Sequence, residues 1–220
     1  MRLLDRRRAL MATNEEKGGL PSGYQQVEWI ANTRVSNPPA YITAGKIFQD
    51  VYPIKIRAKW YRTGGGNYNS YLVDFRTDSN LVFAFNAKTT FFMLTNAGVG
   101  HTTGFEYANN EVIDCICELP DAETCTLKFE KNGEVYTETY SPNSVTSFSN
   151  YNLTLFYIAA NNAMKGRLYL VEAWQNNIKV ADFIPCYRIS DGAIGMYDLI
   201  TKTFYPSTST SPFGKGPDVN

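Results

Sequence analysis

Strict alternation of apolar and polar residues is the feature that most constrains how this chain can fold. Residues 54–60 have the sequence IKIRAKW, residues 113–119 have IDCICEL, and residues 125–131 have CTLKFEK. A period of two places successive side chains on opposite faces of a strand, so each segment predicts a half-buried strand. Beyond Leu20 no segment has the 3.6-residue apolar period of a long helix. We therefore expect antiparallel β-structure.

Turn residues separate the strands and indicate how they connect. Asn132-Gly133 lies between two alternating runs, which is typical of a type I′ hairpin. Asn176-Asn177 separates a second pair, and shorter candidate strands are residues 71–76, 81–85, 90–94 and 153–158. Gly64-Gly65-Gly66 precedes no helix, so we expect a flexible loop there and no phosphate site. Many short strands without an internal repeat predict an all-β, two-sheet antiparallel jelly-roll sandwich.

The N-terminal residues differ from the rest of the chain. Residues 1–11 contain four arginines and one aspartate, and their apolar residues recur at a separation of seven. This pattern indicates a short helix with one apolar seam, although a frayed, solvated terminus is an equally good interpretation. We expect residues 1–19 to be an anchor or oligomerisation tail, 20–217 the sandwich, and 218–220 a C-terminal tail. The residues expected to form the anchor are Leu3, Leu4, Arg6, Arg7, Arg8, Leu10 and Met11.

Charge and hydropathy exclude several functional classes. Lys and Arg total 21 and Asp and Glu total 21, which argues against binding nucleic acid through phosphate neutralisation. No apolar stretch is long enough to span a bilayer, so we expect no membrane insertion. The apolar run 9–12 is shorter than a signal-peptide core, so we expect synthesis in the cytoplasm without an export signal. The four cysteines lack zinc spacing and predict small buried side chains.

Two segments at the ends of the predicted sandwich carry a recognisable pattern. Residues 20–30 have the sequence LPSGYQQVEWI, and residues 182–205 contain DFIPCYR, SDG, IGMYDL and TFY in that order. Together they resemble the concanavalin A-like lectin/glucanase (laminin-G-like) jelly rolls of bacteriophage virion proteins and gut bacterial surface proteins. The likeness extends over residues 20–217 and is looser at 32–45 and 207–211, where this chain departs from the family pattern.

The closing segment also has a physical interpretation that does not depend on the family. Pro185 lacks a backbone donor and suits a strand edge or bulge, and residues 190–192 suit a tight turn. Ile194, Met196 and Leu199 supply apolar side chains for the base of the sandwich. We expect this segment to join the two ends of the domain and to be structural, not catalytic.

The resemblance includes glucanases, so catalysis has to be considered. Those enzymes place two carboxylates on one strand in a Glu-x-Asp-x-(x)-Glu pattern, in which the bracketed residue is optional, and this chain has no such run. His101 is the only histidine, and it lies in a polar stretch, so mechanisms of the Ser-His-Asp type depend on that one residue. We expect no catalytic residues and no enzymatic activity.

Saccharide binding suits the residue inventory better. Sugar rings stack on aromatic side chains, and their hydroxyls pair with amides and carboxylates in a few polar loops. The candidate ligand-binding residues are Asn67, Tyr68, Asn69, Asp78, Asn80, Asn161 and Asn162. The alternative is that these residues are simply good turn formers. We expect no cofactor and no metal; calcium has only a weak signal, with Asp74 and Asp78 as its candidate ligands.

The resemblance, together with the missing export signal, implies a non-enzymatic bacteriophage virion accessory protein that displays a lectin-like β-sandwich: a head or tail fibre, a decoration protein or a tail-associated subunit. We expect it on the virion surface as a homo-oligomer. Its expected partners are other virion proteins, through residues 1–19, and host-surface polysaccharide. The alternatives are a bacterial glycan-binding surface module and a glycoside hydrolase.

Overall fold

The computed structural model describes residues 19–32, 39–49, 51–65, 71–76, 81–87, 92–96, 99–105, 110–141, 148–156 and 164–220. These residues form seventeen strands and no helix. No described segment is a helix with the length and apolarity that crossing a membrane requires. The strands are β1 Tyr24–Gln26, β2 Ile30–Asn32, β3 Ile42–Gly45, β4 Ile54–Gly65, β5 Tyr71–Arg76, β6 Leu81–Ala87, β7 Phe92–Asn96, β8 Val99–Thr102, β9 Val112–Leu119, β10 Cys125–Lys131, β11 Glu134–Tyr140, β12 Asn152–Leu155, β13 Met164–Gln175, β14 Ile178–Arg188, β15 Ile194–Asp198, β16 Thr203–Pro206 and β17 Gly214–Lys215.

Two antiparallel sheets form the sandwich that the sequence predicted. The large sheet has the strand order β11-β10-β9-β4-β13-β14-β15-β16, with β1 paired to β14, β2 paired to β13, and β17 paired to β2. The small sheet has the order β3-β12-β5-β6-β7-β8. β13 and β14 pair with each other through residues 171–175 and 178–183. Farther along, β14 pairs with β1 through residues 186–188, and β13 pairs with β2 through residues 166–168.

The core lies between the two sheets and follows the alternation in the sequence. On residues 54–61 of β4 and on β9 every second residue is buried, and the intervening residues are half-buried on the outer face. Trp60 from the large sheet and Phe75 from the small sheet belong to the same apolar cluster, and both are fully buried. The all-β prediction is confirmed, because the described elements are all strands in two antiparallel sheets and buried residues of both sheets share one apolar cluster.

Both predicted hairpins are present with the expected turn chemistry. Asn132 and Gly133 have φ values of 53° and 87°, and they connect the pair Lys131 and Glu134. Asn176 and Asn177 have φ values of 49° and 61°. Two positive φ angles in a two-residue loop define the type I′ geometry, which matches the twist of the flanking strands.

The sequence prediction was wrong or incomplete at several places. Gly64 and Gly65 are the last residues of β4 and pair with β13, so they extend a strand instead of forming a loop. β7 spans Phe92–Asn96, which extends two residues beyond the predicted end, and the strand predicted over 153–158 ends at Leu155. The predicted residues 90, 91, 157 and 158 lie outside the described residues. Strands β2 and β17 were not predicted, since each has only two or three residues.

The closing segment joins the ends of the domain, as expected. β1 pairs with β14, β17 pairs with β2, and an isolated bridge links Val27 to Asp218. The buried Asp198 carboxylate accepts hydrogen bonds from the backbone N–H of Asp182 at 2.9 Å and of Ile200 at 3.0 Å. It also accepts one from the Thr201 hydroxyl at 2.8 Å. This aspartate therefore fixes the turn between β15 and β16, which is a structural role.

The four cysteines are buried and free, as the sequence indicated. The Sγ atoms of Cys117 and Cys125 lie 3.5 Å apart between β9 and β10. Burial raises the pKa of Cys186 to about 12, which keeps that thiol protonated and unreactive.

Candidate functional site

The ligand-binding residues predicted from the sequence lie outside the described residues. These are Asn67, Tyr68, Asn69, Asp78, Asn80, Asn161 and Asn162. The predicted anchor residues Leu3, Leu4, Arg6, Arg7, Arg8, Leu10 and Met11 also lie outside them. Both sets remain predictions, as do the domain boundaries.

Asp74 does not lie where a calcium ligand was expected. It is fully buried in the middle of β5, opposite Thr154 of β12 and Ala84 of β6, and not at a rim of the sandwich. Within the described part of the chain, no three His, Cys, Asp or Glu side chains are grouped so that they could hold a metal ion.

The outer face of the large sheet carries an ordered array of charges. Arg57 of β4 donates from Nε and Nη2 to both carboxylate oxygens of Asp114 on β9, at 2.9 and 2.7 Å. Its Nη1 donates to Glu172 of β13 at 3.0 Å. These bonds, with Asp114 as the main cause, raise the pKa of Arg57 above its usual value. One guanidinium thus connects three neighbouring strands.

A second group of ion pairs lies beside the first. Lys128 of β10 donates to Glu118 of β9 at 2.9 Å, and Lys55 of β4 lies 3.6 Å from the same carboxylate. The hydrogen bond from Lys128 is the main cause that lowers the pKa of Glu118. Cations and anions therefore alternate across the sheet, and the face has no large excess of either sign.

A tryptophan interrupts this charged face near one end of β13. Trp174 lies opposite Lys55 on one neighbouring strand and opposite Lys179 on the other. The Nζ atoms of these lysines are 5.0 and 4.8 Å from the Trp174 ring, within the range of cation–π attraction. We call Trp174, Lys55, Lys179, Pro53 and Asn177 the Trp174 patch.

The Trp174 patch encloses a shallow, open depression of about 240 Å³, lined by Pro53, Lys55, Trp174 and Asn177. The adjoining loop is fastened to the hairpin by local hydrogen bonds. Gln175 Nε2 donates to the carbonyl of Val51 at 2.9 Å, and the backbone N–H of Asn176 donates to the carbonyl of Pro53 at 2.8 Å. The patch is therefore built on strands and a tight turn that hold its side chains in place.

The lysines of the patch are already paired with carboxylates. Lys179 lies 2.5 Å from Glu172 and 3.3 Å from Asp182, whose side chains are only 6% and 3% exposed. Lys55 shares Glu118 with Lys128. These carboxylates compensate the charge of the two lysines, so the patch has little net positive charge. The ammonium groups still offer hydrogen-bond donors beside the aromatic ring.

A second group of aromatic residues lies on the same face but is more tightly packed. The Arg167 guanidinium carbon is 4.4 Å from the Trp29 ring and 4.9 Å from the Tyr61 ring. A Cβ added at Gly216 would lie 2.8 Å from the Trp29 ring, so the C-terminal strand packs directly on this indole. Trp174 also has cations over its ring, but the backbone at Gly216 packs on Trp29 in addition to the guanidinium, and this extra contact makes the Trp29 group a packing element.

The sequence contained a signal for the Trp174 patch that the loop-based interpretation missed. Along β13, Val171 and Ala173 are buried, and Glu172 and Trp174 alternate with them on the outer face. An aromatic residue at a polar-face position is such a signal. Its two lysine neighbours come from other strands, so finding them requires the pairing register.

No protein-family model and no curated protein matches this chain. Similar solved structures include the enzymatically active domain of bacteriophage CBA120 tailspike protein 2, with 12% identity and a TM-score of 0.43 over 74% of this chain and 30% of that chain. Caenorhabditis elegans galectin LEC-6 has 13% identity and a TM-score of 0.38 over 68% of this chain and 97% of that chain. Scytalido-glutamic peptidase has 11% identity and a TM-score of 0.38 over 79% and 89%.

These likenesses concern a β-sandwich fold and assign no particular function to this chain, because the identities and scores are low. This chain spans about 30% of the length of the tailspike structure. The resemblance to the concanavalin A-like family is thus supported only as far as a shared β-sandwich.

The expectation that the chain is not an enzyme requires correction. Glutamic peptidases and a tailspike domain described as enzymatically active are among the similar structures, so the exclusion of enzymes was wrong. The same low similarity does not make this chain an enzyme.

Proposed function

We propose that the chain is a saccharide-binding β-sandwich of a bacteriophage particle and that the Trp174 patch is its binding surface. The observation that carries the proposal is Trp174 itself, a half-buried indole in an open depression on a face that is rich in charged residues. An aromatic ring with hydrogen-bonding groups around it matches a sugar, which has one apolar C–H face and a rim of hydroxyls.

The polar groups of the patch narrow the class of saccharide. The exposed Asn177 amide offers two donors and an acceptor, and the Lys55 and Lys179 ammonium groups offer further donors. Both lysines are paired with carboxylates, so an acidic sugar would have to compete with Glu118, Glu172 and Asp182. We therefore propose an uncharged saccharide, such as a neutral part of a host-surface polysaccharide.

The phage assignment rests on the sequence resemblance at residues 20–30 and 182–205. On this proposal the protein is exposed on the virion surface and forms a homo-oligomer, and residues 1–19 attach it to other virion proteins. Charge reversal at Arg6, Arg7 and Arg8 in the full chain, each to Glu, should leave a folded protein that no longer joins the particle. Normal incorporation of that variant would contradict the role of the tail.

Binding is tested with a glycan array followed by titration calorimetry on the saccharide that binds. We expect a selective neutral saccharide, and Trp174→Ala should weaken its binding by about tenfold or more. The matched control is Tyr61→Ala, an aromatic truncation on the same face that should leave binding unchanged. No selective binding, or equal loss in both variants, would contradict the proposal. The bound saccharide should also be assayed for reducing-sugar release, because enzymes share this fold.

A further inference from the structure

The outer edge of β11 is a feature that the proposed function does not use. All seven β11 residues pair with β10, from Glu134 opposite Lys131 to Tyr140 opposite Cys125, and no bulge interrupts the register. Among the described strands none pairs with the other edge of β11. A regular edge strand presents a row of backbone N–H and C=O groups that can pair with a further strand.

The sequence of β11 has few of the features that usually prevent such pairing, and its charged side chains are Glu134 and the inward-facing Glu138. Residues 134–140 contain no lysine, arginine or proline. On the outer face Val135 is 68% exposed, and Thr137 and Thr139 are exposed beside it. On the inner face Tyr136, Glu138 and Tyr140 are half-buried at the border of the core.

We propose that β11 pairs antiparallel with β11 of a second copy of this chain, so that the two large sheets become one continuous sheet in a twofold-symmetric dimer. In a twofold-symmetric contact, β11 of one copy runs antiparallel to β11 of the other. Each residue must therefore be compatible with the β11 residue that the symmetry places opposite it. Residues that lie opposite one another must also belong to the same face of the combined sheet. A register shifted by one residue would pair inner-face residues of one copy with outer-face residues of the other.

The charges on β11 select the register. Pairing centred on Thr137 uses all seven residues and places Glu138 opposite Tyr136 of the second copy, and Glu134 opposite Tyr140. A register centred on Tyr136 would oppose Glu134 and Glu138, and one centred on Glu138 would oppose that residue to itself. Since like charges directly opposite destabilise a strand pair, the Thr137-centred register is the one that the sequence favours.

This register makes a specific prediction about Glu138. Its carboxylate accepts hydrogen bonds from the Tyr136 hydroxyl at 3.0 Å and from the backbone N–H of Gly104 at 3.2 Å. In the dimer the two Glu138 side chains would be diagonal neighbours on the inner face. Glu138→Gln keeps an acceptor oxygen and removes the repulsion, so it should lower the dimer dissociation constant.

Sedimentation equilibrium on the full chain tests the proposal. The wild-type chain should show a concentration-dependent monomer–dimer equilibrium. Val135 faces Thr139 of the second copy, so Val135→Lys with Thr139→Lys places like charges opposite one another twice. That variant should raise the dimer dissociation constant by about tenfold or more. Val135→Lys with Thr139→Glu places opposite charges there and should restore dimerisation.

Two controls separate this contact from the alternatives. Ile178 is also 68% exposed but lies at the start of β14, so Ile178→Lys should leave the dimer intact. Leu3→Asp with Leu10→Asp in the full chain tests assembly through the tail and should also leave it intact. A wild-type chain that stays monomeric at about 100 µM would overturn the proposal. So would equal behaviour of the two charge variants, or loss of the dimer only in the tail variant.

The dimer and the saccharide site can fail independently. Trp174 lies on β13, which is separated from β11 by three strands of the sheet. Saccharide titrations of the Val135 and Thr139 variants should therefore give wild-type affinity per chain.

Discussion

Gly195 is a position where the absence of a side chain fixes local structure. A Cβ at this residue would lie 2.1 Å from the carbonyl oxygen of Tyr205 and 2.8 Å from its carbonyl carbon. Both obstacles are backbone atoms of the paired strand β16, so they cannot move aside without breaking the ladder. Gly195 is therefore required by close packing and not by a turn.

Gly195→Ala should destabilise the fold by about 3 kcal/mol, because overpacking against backbone forces β15 and β16 apart. Urea denaturation measures the change. Gly19→Ala is the control, since nothing lies within 4 Å of a Cβ placed there. A Gly195→Ala chain as stable as the control would contradict the packing.

Asp191 contributes a pH-dependent interaction to the turn after β14. Arg188 donates to it at 3.0 and 2.6 Å, and the backbone N–H of Ala193 donates at 3.1 Å. Chiefly through the bonds from Arg188, these contacts lower the pKa of Asp191 to about 2. A lowered folded-state pKa means stability that is present above the ordinary aspartate pKa and is lost as the pH falls towards the folded value.

Asp191→Asn should therefore lower the melting temperature at about pH 6, and the difference from wild type should shrink between about pH 4 and pH 2. Thermal denaturation followed by circular dichroism across this range measures it. The account fails here if the difference is the same at both ends of the range.

The elements of the large sheet are held laterally by side chains as well as by the backbone ladder. Arg57 connects β4 to Asp114 of β9 and to Glu172 of β13. Glu172 has a 6% exposed side chain, so it depends on Arg57 and Lys179 to compensate its charge.

Arg57→Met should cost about 2 kcal/mol of unfolding free energy, because it leaves two half-buried or buried carboxylates with fewer donors. Arg57→Lys keeps the charge but cannot form the two-pronged contact with Asp114, so it should cost less. Urea denaturation of both variants measures the effect. Equal stability of Arg57→Met and wild type would show that the cluster is only a surface feature.

The sequence predicted those elements whose signals are local. Alternation identified β4, β9 and β10, and Asn-Gly or Asn-Asn identified both hairpins, because side-chain period and positive φ are properties of a few adjacent residues. β2 and β17 were missed because their stability comes from partners far along the chain, such as Ile30 opposite Leu168. The Trp174 patch was missed for the same reason, since Trp174 and Lys55 meet only through strand pairing.

At the scale of the whole molecule, the residues that hold the fold together lie apart from the residues proposed to bind saccharide. The segment that made the sequence recognisable, residues 182–205, joins the domain ends through Asp198, Gly195 and the pairing of β14 with β1. Its recognisable residues hold the sandwich together, whereas the proposed binding surface lies on β4, β13 and the turn at Asn177. A shared fold thus leaves the binding surface free to differ.

The three tryptophans of the chain allow the most direct test of the proposed site. Trp60 is fully buried, Trp29 packs under Arg167 and Gly216, and Trp174 lies in the open depression. Each indole N–H gives one signal in a ¹⁵N–¹H NMR spectrum, so the saccharide found on the array can be titrated against all three at once. The account predicts that the Trp174 indole signal shifts in proportion to occupancy while those of Trp29 and Trp60 stay in place; a shift at Trp29 alone, or at none of the three, would contradict it.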